Sequence, residues 1–249
     1  MSHIAATRIL LALLLGAIAA AANVLGGLAI VRRQWSRAYL KYFIALGAGF
    51  MLATAFLEMI PESLKLASRT DEVFFLVLGG YLLIHFFEHT VAPHFHFGEE
   101  THSEELAPAH AGIAAVLGLV IHTFFDGVAI ASGVLVSTWL GGVIFLAVFL
   151  HKLPEGSTVA SLTLASGQSR RVALLSSVVL GGATIVGVGL MYVLRGAVGL
   201  ALPFAAGVTI YVAASDLVPE VNREPAVGLP VLVFLGVLAM LLLKLTFHL

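Results

Sequence analysis

Eight long apolar stretches constrain this chain more than any other feature. Each runs for about 19–26 residues, and a helix of that length can cross a hydrocarbon core of ~30 Å. They cover residues 9–31, 42–60, 73–92, 111–136, 139–164, 172–194, 198–217 and 227–247. Inside lipid every backbone N–H and C=O must be satisfied internally, which leaves helices or a closed barrel. A barrel needs alternating polarity in segments of about ten residues, and these unbroken runs lack it. Composition agrees: 60% of the residues are apolar and 11% charged, so thirteen basic and fourteen acidic side chains cannot clothe a water-soluble surface. A formal charge of −1 offers no basic face for nucleic acid. With no cysteine, disulfides, thiolate metal sites and cysteine nucleophiles are excluded. The expected fold is an all-α integral membrane protein, one membrane domain over residues 1–249.

The first stretch exceeds a signal-peptide core, and its basic cluster follows it, so it reads as a retained helix. That cluster, Arg32, Arg33, Arg37 and Lys41, belongs in the cytoplasm by the positive-inside bias. Eight crossings then put both termini outside, as expected of a multi-pass protein of the cell (cytoplasmic or inner) membrane. Residues 93–110, PHFHFGEETHSEELAPAH, form the one long link, with four histidines and four glutamates. It reads either as a solvated cytoplasmic loop or as a weak metal-collecting segment.

Two internal repeats stand out. GAGFMLATAFLEMIPE (47–62) matches AAGVTIYVAASDLVPE (205–220), aligning Glu58 with Asp216, Pro61 with Pro219 and Glu62 with Glu220. HTFFDGVAIAS (122–132) matches HKLPEGSTVAS (151–161), aligning His122 with His151, Asp126 with Glu155 and Gly127 with Gly156. Within each match the two helices run in opposite directions. The expected architecture is therefore an inverted 3+2+3 pseudo-symmetry, the arrangement of transporters that bind substrate near the midplane.

Ionisable groups at bilayer depth cost roughly 2.5–3.5 kcal/mol each on insertion scales and mark functional sites. His122 with Asp126, and His151 with Glu155, are i, i+4 pairs, so each puts an imidazole and a carboxylate on one helical face. Two such faces opposed across a pseudo-twofold offer two nitrogens and two oxygens, a set that closes tetrahedrally around a Zn²⁺-like ion. Pro154 removes a helical hydrogen bond beside His151, and Gly127 and Gly156 permit close helix approach.

On these residues the chain resembles the ZIP (Zrt/Irt-like) divalent-metal transporters. HTFFDG and HKLPEG are similar to that family's fourth- and fifth-helix signatures, and the eight helices, the His-rich link and the LEMIPES end of the second helix fit too. The resemblance implies transport of Zn²⁺ and related ions (Cd²⁺, Fe²⁺, Mn²⁺, Co²⁺) into the cytoplasm. It implies His122, Asp126, His151 and Glu155 as metal ligands, with no catalytic cofactor. It further implies a homodimer in which the central helices move, elevator-like, against a scaffold containing the second and seventh. Several family members bind a second metal through an Asn after the fourth-helix His and an acid after the fifth-helix residue. Here those places hold Thr123 and Lys152. An ammonium cannot ligate a cation, so Lys152 is expected to pair with Glu155 and stand where relatives hold that second ion.

Glu58 and Glu62 fall at the outer end of the second helix and Asp216 and Glu220 at the inner end of the seventh. They read either as acidic vestibules or as helix ends reaching headgroups. His85, Glu88 and His89 lie near the cytoplasmic end of the third helix, on an expected exit route. An enzyme is disfavoured: an intramembrane metalloprotease needs H-E-x-x-H, and no glutamate follows either histidine. A metal-gated channel or metal-sensing receptor is the rival class.

Overall fold

The computed structural model describes residues 3–32, 40–90, 109–223 and 228–247, and among these the regular structure is entirely helical. Eight membrane-length helices follow in order. They are α1 (His3–Val31), α2 (Leu40–Thr54, a π-helical turn Ala55–Met59, then Ile60–Leu66), α3 (Thr70–Thr90) and α4 (Ala109–Val136). The chain continues with α5 (Thr138–Ala165), α6 (Arg170–Val193), α7 and α8 (Gly228–Phe247). α7 begins with a 3-10 turn, Arg195–Ala197, and runs through Val198–Tyr211, a π-helical turn Val212–Leu217 and Val218–Arg223. The eight crossings agree with the sequence expectation. Most of the histidine-rich link lies outside the described residues; Ala109 and His110 open α4.

Local chemistry sets the junctions. Ser137 and Ser169 cap α5 and α6, accepting the backbone N–H of Leu140 at 3.1 Å and of Val172 at 3.4 Å. Gly167, at φ 81°, makes the turn between α5 and α6. Two expected boundaries are corrected. The second and seventh stretches were expected to end at residues 60 and 217, yet α2 runs on to Leu66 and α7 to Arg223. A π-helical turn precedes each of Pro61 and Pro219 and absorbs the broken hydrogen-bond register. At Pro61 the carbonyl four residues back, on Leu57, instead accepts from Lys244 Nζ at 2.7 Å.

Packing sorts the helices into two groups of four. α1 lies along α5 as α6 lies along α4, and α2 lies along α8 as α3 lies along α7. Each of these interfaces is closed by glycines set against carbonyl oxygens. A Cβ added at Gly156 would meet the Asn23 carbonyl at 1.9 Å, and one at Gly26 the Leu153 carbonyl at 2.2 Å. Gly127 and Gly187 face Thr184 and Phe124 in the same way across α4 and α6. Gly49 and Gly236 lock α2 to α8, and Gly80 and Gly207 lock α3 to α7. Between the groups, α2 meets α5 and α4 meets α7. There a Cβ added at Gly47 of α2 would meet Leu150 Cβ at an ordinary 3.5 Å. α5 is the most deeply buried helix, whereas α3 and α8 turn Phe75, Phe86 and Phe234 outward. An apolar exterior around a polar-studded centre is the arrangement lipid demands.

Candidate metal centre

The periodicity of α4 places His122 and Asp126 one turn apart, and that of α5 does the same for His151 and Glu155. All four side chains are buried where α4 and α5 pack together. One ligand atom from each lies within 4.8 Å of the others. Asp126 Oδ2 is 3.2 Å from His122 Nε2 and 3.4 Å from His151 Nε2, and Glu155 Oε2 is 3.9 Å from both nitrogens. A tetrahedral Zn²⁺ with bonds of 2.0–2.2 Å has ligand–ligand edges of about 3.3–3.6 Å. The four nitrogen–oxygen edges, at 3.2–3.9 Å, are near that size and the others stay within 4.8 Å, so this cage could draw in around a four-coordinate ion.

The proton on His151 is placed by its surroundings. Its Nδ1 lies 3.0 Å from the Ala147 carbonyl, which only accepts, so Nδ1–H donates there and the Nε2 lone pair faces the carboxylates. His122 likewise turns Nε2 inward, and its buried Nδ1 has no hydrogen-bond partner among the described residues.

Lys152 occupies the same cage. It is fully buried, its Nζ lies 2.5 Å from Asp126 Oδ2, and it also donates to Glu155 Oε2. The third acceptor is Thr123 Oγ1 at 3.2 Å, whose own hydroxyl donates to Glu155 Oε1. The expected Lys152–Glu155 pair is present, and the contact to Asp126 adds a link from α5 back to α4.

The other expected site residues form two clusters away from this cage. At one end of the bundle the buried Glu58 accepts from Trp139 Nε1 at 3.2 Å and pairs with Lys244 at 3.0 Å. Glu62 pairs with Lys65 at 2.8 Å at the exposed end of α2. Toward the other end the Glu88 and Asp216 carboxyls face each other, and Tyr211 donates to Glu88 Oε2 at 2.9 Å. Asp216 is buried, and its Oδ1 has no hydrogen-bond partner among the described residues. His85 and His89 stack at 4.2 Å beside this pair, with His85 5.9 Å from the Tyr211 ring, and Glu220 is buried on α7. Trp139, Lys244 and Tyr211 escaped the sequence reading. A lone lysine within the apolar last helix was the available signal for one of them.

Comparison with known proteins matches this architecture. A family model described as ZIP zinc transporter matches residues 6–115 and 99–244. Zinc transporter ZIP9 of Xenopus tropicalis is 30% identical over 172 residues, covering 61% of this chain and 55% of that protein. Metal cation symporter ZIP8 of Homo sapiens is 23% identical over 274 residues, covering 80% of this chain and 60% of its own length. The chain thus spans a little over half the length of these curated relatives. With eight apolar crossings, a buried His/Asp/Glu group and a family match over nearly its whole length, this multi-pass membrane protein belongs to the ZIP zinc transporter family.

Proposed function

We propose that the chain carries divalent transition-metal ions, Zn²⁺ first among them, into the cytoplasm, with His122, Asp126, His151 and Glu155 as the cargo ligands. The observation that carries this reading is the convergence of four ligand atoms within 4.8 Å in the buried centre. The names of the relatives, zinc transporter and metal cation symporter, support zinc as cargo. Cd²⁺, Fe²⁺, Mn²⁺ and Co²⁺ accept the same nitrogen and oxygen donors. Four protein ligands leave no open position to activate water, which argues for carriage over catalysis.

The movement proposed is elevator-like: α1, α4, α5 and α6 slide as one body against α2, α3, α7 and α8. Glycine–carbonyl contacts close the interfaces inside each group, whereas the α2–α5 contact at Gly47 is an ordinary one. The inverted repeat is supported by the paired packing of α1 on α5 with α6 on α4, and of α2 on α8 with α3 on α7. Both termini outside, Glu58 and Glu62 at the entrance, and Asp216, Glu220, Glu88, His85 and His89 on the exit route complete the proposal. A homodimer follows from family membership. Lys152, bound to both carboxylates, supports a single metal per protomer.

Zinc uptake by purified protein in proteoliposomes tests the reading, with the other four ions as competitors. Saturable uptake that disappears in His122→Ala is expected. Non-saturable flux, or flux untouched by that substitution, refutes it.

A further inference from the structure

The cargo cage contains a positive charge of its own. Lys152 offers three N–H donors, and three oxygens surround them: Asp126 Oδ2, Glu155 Oε2 and Thr123 Oγ1. Asp126 Oδ2 is the same atom that faces both imidazoles, so the ammonium stands among the groups that would hold the cargo. Among the described residues of α1, α4, α5 and α6, every other lysine, arginine, aspartate or glutamate side chain lies at a helix end: Arg8, Arg170 and Arg171.

A carrier crosses the membrane twice per turnover, once loaded and once empty. With neutral imidazoles, a divalent cation on two carboxylates is neutral, and the same site after release carries two negative charges. The cost of holding charge in a low-dielectric interior grows as the square of that charge. Without Lys152 the loaded crossing is cheap and the empty one carries a squared charge of four. With Lys152 the loaded site has one net positive charge and the empty site one net negative charge, so the two crossings become equal. The tether on α5 also keeps this cation at the carboxylates as the metal leaves.

We propose that Lys152 is the built-in counter-ion for the empty site, which lets the unloaded carrier return and makes the cycle one of net uptake instead of metal-for-metal exchange. Lys152 is here a positioning residue acting through Asp126 and Glu155. The inference rests on the alternating-access reading above.

The test compares two modes in proteoliposomes: zinc uptake into zinc-free vesicles, and isotope exchange into vesicles preloaded with zinc. In the wild-type protein the two rates should agree within about threefold, because the empty crossing is not the slow one. Lys152→Met should lower net uptake about tenfold or more relative to exchange measured in the same variant, and Lys152→Arg, which keeps the charge, should restore the wild-type ratio of the two modes. Internal zinc that accelerates wild-type uptake about tenfold overturns the proposal whether or not the variants fold. Unchanged net uptake in Lys152→Met overturns it too, as does loss of both modes in that variant. Absence of zinc flux in either mode of the wild-type protein refutes the transport reading instead, which keeps the two failures apart.

Discussion

Gly156 is where packing, rigidity and the site meet, and its replacement by alanine has a calculable consequence. It follows Glu155 on α5, with α1 on one side and α6 on the other. A Cβ there would lie 1.9 Å from the Asn23 carbonyl oxygen of α1, while Ser177 of α6 donates to the Gly156 carbonyl at 3.0 Å. Reaching even a tight 3.0 Å contact requires α1 to retreat by about 1.1 Å. A gap of that size forfeits up to half of each dispersion contact along the interface. The retreat would also open the reciprocal Gly26–Leu153 contact. Overpacking of this kind costs about 3 kcal/mol at the upper end of its usual range. Alanine's better helix propensity returns about 1 kcal/mol. The net loss is then about 2 kcal/mol, or about 4–8 °C in Tm on the scaling for domains of this size. Thermal unfolding in detergent measures it. Gly182→Ala is the control, since nothing lies within 4 Å of its added Cβ, and propensity alone should hold or raise its Tm. Gly47→Ala, at the α2–α5 contact, should behave like the control because its Cβ would sit 3.5 Å from Leu150 Cβ. A Gly156→Ala protein as stable as wild type, or a Gly182→Ala protein destabilised equally, refutes the division into locked and sliding contacts.

His122→Ala and Glu155→Ala should each abolish zinc uptake while leaving a monodisperse membrane protein; near-normal uptake in either would remove that residue from the ligand set. Deleting residues 94–106 should leave uptake largely intact, because the four-donor cage between α4 and α5 is built without them; loss of uptake at normal expression would give the histidine-rich segment an essential role. Lys152→Asp should turn the proposed one-metal centre into a two-metal one, since the ammonium that repels a second cation is replaced by a ligand. Anomalous diffraction at the zinc edge should show one peak in the wild-type protein and two in the variant, and two wild-type peaks would contradict the single-ion assignment.

What could be read from the sequence followed from short-range periodicity. Apolar runs of bilayer length marked the eight crossings, and i, i+4 spacing put His122 with Asp126 and His151 with Glu155 before any packing was known. The repeat then opposed the two pairs. Contacts between distant helices left no such trace. Lys244 and Glu58 are 186 positions apart, and Trp139 reaches Glu58 from a third helix. The grouping of helices rests on which carbonyl each glycine meets, and glycines are scattered through every span. The expected ends at 60 and 217 fell short because a π-helical turn ahead of Pro61 and of Pro219 lets each helix continue, and no residue type encodes that turn. Lys152 was half legible: its i, i+3 partner Glu155 is local, but Asp126 lies across the helix interface.

The two ends of the repeat differ in charge, and that difference can be tested. Gly49 meets Val233 and Gly207 meets Val77, so the glycine contacts put α8 and α3 in register. Counting eleven residues on from each valine reaches Lys244 in one case and Glu88 in the other. Counting nine on from each glycine reaches Glu58 and Asp216. Equivalent positions thus hold a carboxylate with its own cation at one end and two facing carboxyl groups at the other. At the first end Glu58 is paired with Lys244, whereas a facing pair of carboxyl groups is a cation-binding arrangement. Glu88→Lys copies the first end onto the second. It gives the buried Asp216 a partner, so stability in detergent should hold or rise. It also puts an ammonium on the proposed exit route, so zinc uptake should slow severalfold even though the four proposed cargo ligands are untouched. Stability and uptake both unchanged would show that metal ions leave without meeting Asp216. A fall in stability together with uptake would show instead that Glu88 serves the fold.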